Sequence, residues 1–336
     1  MIGLFRSGVR PAGSRLAAGI AVGLAVSSAL VGCNAPSKAP TPNPTVTGDA
    51  PRIMFRHTGL DDHYGTVAMV TLSAPNGART FTDLACDRVD ATRTRTSCLQ
   101  TVRGATTSYR WVETDNSWRQ IQQVPLGGVP NRTRLSPDGK LVASTVFVTG
   151  HSYQQTAFST VTEIRDVGGN SHGNLETFTL VIDGRTSTAT DRNIWGVTFA
   201  ADDRTFFATA ATGGRTYLVK GDLQTKTLTS IRTNAECPSL SPDGRKVAYK
   251  VVVSDDGTTK HWTPAVLDLA SGHQTVLTGE PRSVDDQIEW LDNTTILYGL
   301  PRADLAGVDD VWALSVDTQS SPRLLIENAW SPAVVR

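Results

Sequence analysis

The sequence predicts an all-β protein assembled from a repeated four-stranded unit, and three observations predict it. A turn phrase recurs: Leu135-Ser136-Pro137-Asp138-Gly139-Lys140 and Leu240-Ser241-Pro242-Asp243-Gly244-Arg245 each precede an apolar run. Thr, Val and aromatic residues are plentiful, while long stretches of helix-period apolar spacing are absent. The whole repeat fills roughly 40–50 residues, the period of a propeller blade.

In chain order, the first segment is a leader. Arg6, Arg10 and Arg15 precede an apolar run from Leu16 to Leu30, and no acidic residue appears before Cys33. That run suits the apolar region of a signal peptide and is short for a membrane span. The alternative, a transmembrane anchor that happens to contain Cys33, fits less well with the shortness and the Gly and Ser content. The run ends at Leu30-Val31-Gly32-Cys33, which resembles the bacterial lipobox. The resemblance implies cleavage between Gly32 and Cys33 and a thioether from the Cys33 thiol to a diacylglycerol. Stable anchoring takes more than one acyl chain. Residues 1–32 are therefore expected to be removed, leaving an extracytoplasmic protein lipid-anchored to the bacterial cell membrane.

A tether comes next. Residues 34–50, NAPSKAPTPNPTVTGDA, are rich in proline and small polar residues and cannot bury a core. Extended, they reach ~50 Å at about 3.1 Å per residue. The body, 51–336, is long enough for one large core. The 32 Lys and Arg match 32 Asp and Glu. Losing the three leader arginines gives a mature net charge of −3. No basic stripe argues for nucleic acid.

Three cysteines follow Cys33. In an oxidising compartment pairing is expected, and Cys86 with Cys98 could bridge neighbouring strands of one hairpin. Cys237 is left over, and a buried free thiol fits it better than a metal ligand.

Within the body, weaker copies of the turn phrase are Phe199-Ala200-Ala201-Asp202-Asp203-Arg204 and Trp290-Leu291-Asp292-Asn293. Pro137 and Pro242 preset a turn dihedral, Asp138 and Asp243 accept turn hydrogen bonds, and Gly139 and Gly244 take the left-handed position. A second phrase follows each turn, as in Ala265–Gly272 before Gln274–Leu277. The combined pattern, strand-SPDG[KR]-strand-strand-DL-strand, resembles the TolB-type or PD40 β-propeller repeat over nearly all of the chain from Pro51.

Counting units gives six blades. Blade two covers Leu84–Gly128, three Pro130–Gly184, four Asn193–Thr233, five Ala235–Gly279 and six Arg282–Asn328. Blade one has only three strands at the start, Arg52–His57, Thr66–Ser73 and Ala78–Thr82. Trp330–Val335 is expected to supply its innermost strand and close the ring, which removes open sheet edges. On this alignment Cys86 and Cys98 fall in the first two strands of blade two.

The sequence offers no nucleophile elbow, P-loop or zinc-protease motif, and no hydrolase domain is expected after the propeller. His57, Asp61, Asp62 and His63 form a metal candidate but read better as a solvated loop. Asp255-Asp256-Gly257 and Asp309-Asp310 read as hairpin turns rather than calcium loops. Trp195, Trp262, Trp290 and Trp312 read as packing residues, while Trp111 and Trp118 are candidates for an exposed partner surface. Asp87, Arg88, Arg132, Arg134, Asp286 and Glu289 would come from inner strands and could meet in the central channel.

The resemblance implies an envelope interaction role. The lipoprotein leader, and the lack of an α/β domain ahead of the propeller, depart from TolB, so no Pal-binding site is carried over. The leading expectation is a non-enzymatic, monomeric scaffold that binds an envelope protein or cell-wall component, with no cofactor and no metal. The alternatives are an enzyme or small-ligand binder using the channel, and an accessory modulator of an envelope sensor or transport complex.

Overall fold

The computed structural model describes residues 50–148, 159–316 and 320–336; the leader, Gly32, Cys33 and residues 34–49 of the tether lie outside them. The regular secondary structure of the described residues is strand, apart from one three-residue 3-10 turn at Leu175–Thr177. It forms six sheets, each built outward from a short innermost strand. Those innermost strands are Ala329–Val335, Arg88–Ala91, Val129–Leu135, Asn193–Phe199, Glu236–Leu240 and Glu289–Trp290 for blades one to six.

Blade one is closed by the two ends of the body. Arg52 pairs with Val335 and Ile53 with Val334, antiparallel, before Arg52–His57 passes on to Thr66–Thr71 and Thr80–Ala85. Because side chains alternate along a strand, one strand serves two interfaces. Ile53 and Phe55 pack with Leu297, Val311 and Ala313 of blade six. Met54 between them packs with Val89, Cys98 and Val112 of blade two. The core is therefore a set of layers between blades. Burying one such side chain contributes about 1.5–3 kcal/mol.

An innermost strand has one unpaired edge, and hydrogen bonds between blades use part of it. Asp90 Oδ2 accepts the Leu135 N–H at 2.6 Å, and Thr198 Oγ1 accepts the Leu240 N–H at 3.1 Å. Thr160 Oγ1 accepts from Ile194 at 2.9 Å, and Thr209 Oγ1 from Cys237 at 2.8 Å. Ser331 Oγ exchanges bonds with the Val89 backbone across the closure.

The turn phrases sit at one end of the channel. Ser136 Oγ donates to Asp138 Oδ1 at 2.8 Å and Ser241 Oγ to Asp243 Oδ1 at 2.6 Å; the same carboxylates accept from the backbones of Lys140 and Arg245. Gly139 has φ +75°, and a Cβ there would come within 3.1 Å of Thr92 Oγ1, so both conformation and space call for glycine.

Several expectations need correction. Thr179–Ile182 and Arg185–Thr186 leave blade three and extend the outer edge of blade four, which becomes six-stranded; Thr179–Val181 runs parallel to Thr227–Thr229. Blade one's outer strand runs to Ala85, so blade two begins later than Leu84. Cys86 precedes the innermost strand of blade two instead of lying in it; it is disulfide-bonded to Cys98, with Cα atoms 5.4 Å apart. Asp309 and Asp310 belong to the strand Asp309–Ser315, where Asp310 binds Arg302 at 2.7 Å. Trp111 is 1 % exposed and its indole donates to Ser97 Oγ, while Trp118 packs against the layer between blades one and two. Neither is the exposed anchor that the sequence allowed.

Candidate functional site

The innermost strands of blades two, three and six, with the segment just ahead of Glu289, bring ionisable side chains from distant sequence positions into the channel; Asp286, expected on an inner strand, lies in that segment. Of the six candidates, five converge there: Arg88, Arg132, Arg134, Asp286 and Glu289. Asp87 is turned back to its own blade, where it accepts the Thr101 N–H at 2.6 Å. Asp90 and Lys250 complete the set, and sequence reasoning passed over both. The position two residues beyond Arg88 on a period-2 strand is the signal that could have found Asp90. Lys250 lies on the second strand of blade five and carried no such cue.

The channel is layered. Beneath the turn-bearing mouth, Arg134 Nη1 binds Glu289 and lies 3.6 Å from Asp90 Oδ1, while Nη2 donates to the Ile288 carbonyl at 3.1 Å. Burial pushes the Asp90 carboxyl up, Arg134 pulls against that shift, and the neighbouring Glu289 adds to it. One level down, Arg88 Nη1 donates to Asp286 Oδ1 at 2.9 Å, with its guanidinium carbon 4.9 Å from the Trp330 ring centre. Burial, and then the charge of Arg132, lowers the Arg88 pKa to about 10. Between these layers lies a cavity of about 10 Å³, room for one water molecule at most. Below, Lys250, 2 % exposed, binds Asp285 at 2.5 Å and stands 4.9 Å from the Trp262 ring centre. Next to it Cys237, a buried free thiol, adopts φ +53° in the innermost strand of blade five.

The mouth itself is a cavity of about 520 Å³. Its wall is apolar at Leu135, Phe199, Leu240, Trp290 and Val334, and its rim carries Pro137, Asp138, Pro242, Asp243 and Gly244. Arg134, Asp90 and Glu289 form the floor. Such a pocket combines apolar walls with a few convergent polar groups, as ligand sites do.

Asp61, Asp62 and His63 lie in the exposed loop expected between the first two strands of blade one, whereas His57 ends the first strand and is buried. His57 is 3 % exposed; its Nε2 meets Asp61 at 2.9 Å and its Nδ1 meets Arg79 Nη1 at 2.7 Å. With Arg79 as donor, Nδ1 accepts and Nε2 carries the proton to Asp61. His63 stacks on Phe81 at 4.0 Å. Among the described residues no group of three or more His, Cys, Asp or Glu side chains is placed to hold a metal ion.

No family model matches the chain, and no curated protein does. Solved structures do. TolB from Acinetobacter baumannii superposes with a TM-score of 0.59 at 15 % identity, covering 86 % of this chain and 68 % of that one. The β-propeller domain of the Trilobed protease from Pyrococcus furiosus gives 0.42 at 13 %, covering 70 % of each. An oligogalacturonate lyase in complex with manganese gives 0.44 at 12 %, covering 74 % and 71 %. Six blades closed by the joined ends of the body, together with the superposition on TolB, establish that this chain has the TolB-like β-propeller fold.

Proposed function

We propose that the protein is an extracytoplasmic, lipid-anchored scaffold without catalytic activity, which binds an envelope protein at the turn-bearing mouth of its propeller. The mouth carries this reading. Turns from several blades surround one pocket of about 520 Å³ whose walls are apolar and whose floor is charged. A protruding segment of a partner finds there both area to bury and a fixed set of polar groups. Lipid on Cys33 would hold the body near the membrane.

The test is capture from envelope extract with the body, residues 50–336, alongside Ala201→Trp. Ala201 is an exposed rim residue, so tryptophan there obstructs the mouth without breaking a buried bond. A stoichiometric partner held by the parent protein and lost by the variant supports the proposal. A partner retained by the variant moves the interface elsewhere. For the anchor, Cys33→Ala should shift the chain from the membrane fraction to the soluble fraction.

The convergence of five channel residues favours a second reading, in which the same mouth takes a small ligand. A ligand-induced rise in melting temperature with no protein partner recovered would support that reading over the first.

A further inference from the structure

Among the described residues Arg132 is the one channel cation with no carboxylate in direct contact. It is 7 % exposed, and no carboxylate lies within ion-pair distance of it among the described residues, whereas Arg88, Arg134 and Lys250 each have one. Its Nη1 donates to the carbonyl of its own neighbour Asn131 at 3.0 Å. Its Nε is buried and donates to nothing. The Cys237 thiol is its side-chain neighbour, and sulfur is a weak acceptor.

A buried guanidinium in this position is unusual. Arginine does not escape burial by losing its proton, so its buried donors call for acceptors. Burial works against the Arg132 charge, but Cys237, Asp286 and Asp285 nearby hold its pKa above the ordinary value, so it stays a cation. The two aspartates are already engaged one to one, Asp286 by Arg88 and Asp285 by Lys250. Two other acids near this level do not complete it. Neither Glu236, which accepts from the Trp262 indole at 3.3 Å, nor Asp309 comes within ion-pair distance of Arg132. Three cations thus approach one another, and Arg132 depresses the pKa of Arg88 as a like charge. The Asp285 side chain is 64 % exposed, so the cluster borders solvent at the end of the channel away from the turns.

We propose that Arg132, supported by Arg88 and Lys250, is a binding site for a small oxyanion, a carboxylate or phosphate group, at the end of the channel opposite the mouth. The guanidinium fork offers parallel donors that match such a group. The site is separate from the mouth, since the layer of Arg134, Glu289 and Asp90 lies between them. It holds whether or not the mouth binds a protein.

The test is thermal unfolding of the mature chain in sodium phosphate, sodium acetate or sodium chloride at equal ionic strength, for the parent protein and Arg132→Met. A saturable rise of a few degrees with phosphate or acetate over chloride is expected for the parent, because a ligand bound only by the folded state stabilises it. Arg132→Met, which removes the guanidinium, should lose that response. Arg132→Lys, which keeps the charge without the fork, should need at least ten times more anion for half of the rise. A parent that responds equally to chloride overturns the proposal. So does an Arg132→Met protein with an undiminished response.

Discussion

Asp90 Oδ2 and the Leu135 backbone N–H, 2.6 Å apart, join the innermost strands of blades two and three. Thr198 and Leu240 repeat the relationship between blades four and five at 3.1 Å. The two acceptors occupy equivalent places, so ring cohesion rests partly on one repeated side-chain position. Asp90→Ala leaves a buried N–H without a partner and should cost about 2 kcal/mol. Asp90→Asn keeps an acceptor and should stay within about 1 kcal/mol of the parent in urea unfolding at pH 7. Equal losses for the two variants would mean that the Arg134 contact, not the Leu135 bond, is what matters at Asp90.

Closure makes a stronger demand. Ala329–Val335 pairs with Arg52–His57, and Ala329, Ala333 and Val335 are each at most 1 % exposed. Deleting residues 329–336 opens the unpaired edge of Arg52–His57 and removes the Ser331 bonds to blade two. The loss should exceed about 4 kcal/mol, in the range reserved for broken core features, and should lower the melting temperature of the whole body. An unchanged melting temperature would refute closure as the source of cooperativity.

The closing strand was legible because blade one lacks a fourth strand at its start and Trp330–Val335 has no other blade to join. The turns were legible because Pro137-Asp138-Gly139 and Pro242-Asp243-Gly244 state their dihedrals directly. Thr179–Thr186 was not. Its pairing to Thr227–Thr229 is parallel and non-local, and nothing in a local apolar pattern distinguishes an outer strand of one blade from an addition to the next. The channel was half legible. The sequence named Arg88, Arg132, Arg134, Asp286 and Glu289 as channel residues, but which of them pair, Arg88 with Asp286 and Arg134 with Glu289, is decided only by ring closure, across more than 150 residues.

Glu176 supplies a pH prediction. It accepts from Thr160 Oγ1 at 2.7 Å, the Thr162 N–H at 3.1 Å and the Ile194 N–H at 3.2 Å, linking blade three to blade four. Burial raises its pKa to about 7, and these hydrogen bonds only partly offset that shift. An acid whose folded pKa lies above its unfolded value contributes stability that is full below the unfolded pKa and lost as pH rises through the folded one. Between pH 4.5 and 8 the protein should therefore lose up to about 3 kcal/mol at this site. Glu176→Gln should flatten that slope, at the price of one hydrogen bond at low pH. Parallel stability-pH curves for parent and variant would rule out Glu176 as the titrating group.

The Cys86–Cys98 bond sits where two blades meet. Cys98 is fully buried, and the Cys86 N–H donates to the Gly65 carbonyl of blade one at 3.0 Å. The disulfide thus fixes the start of blade two against both its own second strand and the preceding blade. Closing a loop of this size stabilises by about 2–3 kcal/mol through the unfolded state. Cys86→Ser with Cys98→Ser should lose that amount in urea unfolding. A reductant strong enough to open the bond should lower the parent's midpoint to that of the double variant and leave the variant unmoved. If reductant shifts both proteins equally, its action lies elsewhere and the bond contributes nothing measurable. Cys237 does not blur this comparison, because it is buried in blade five and present in both proteins.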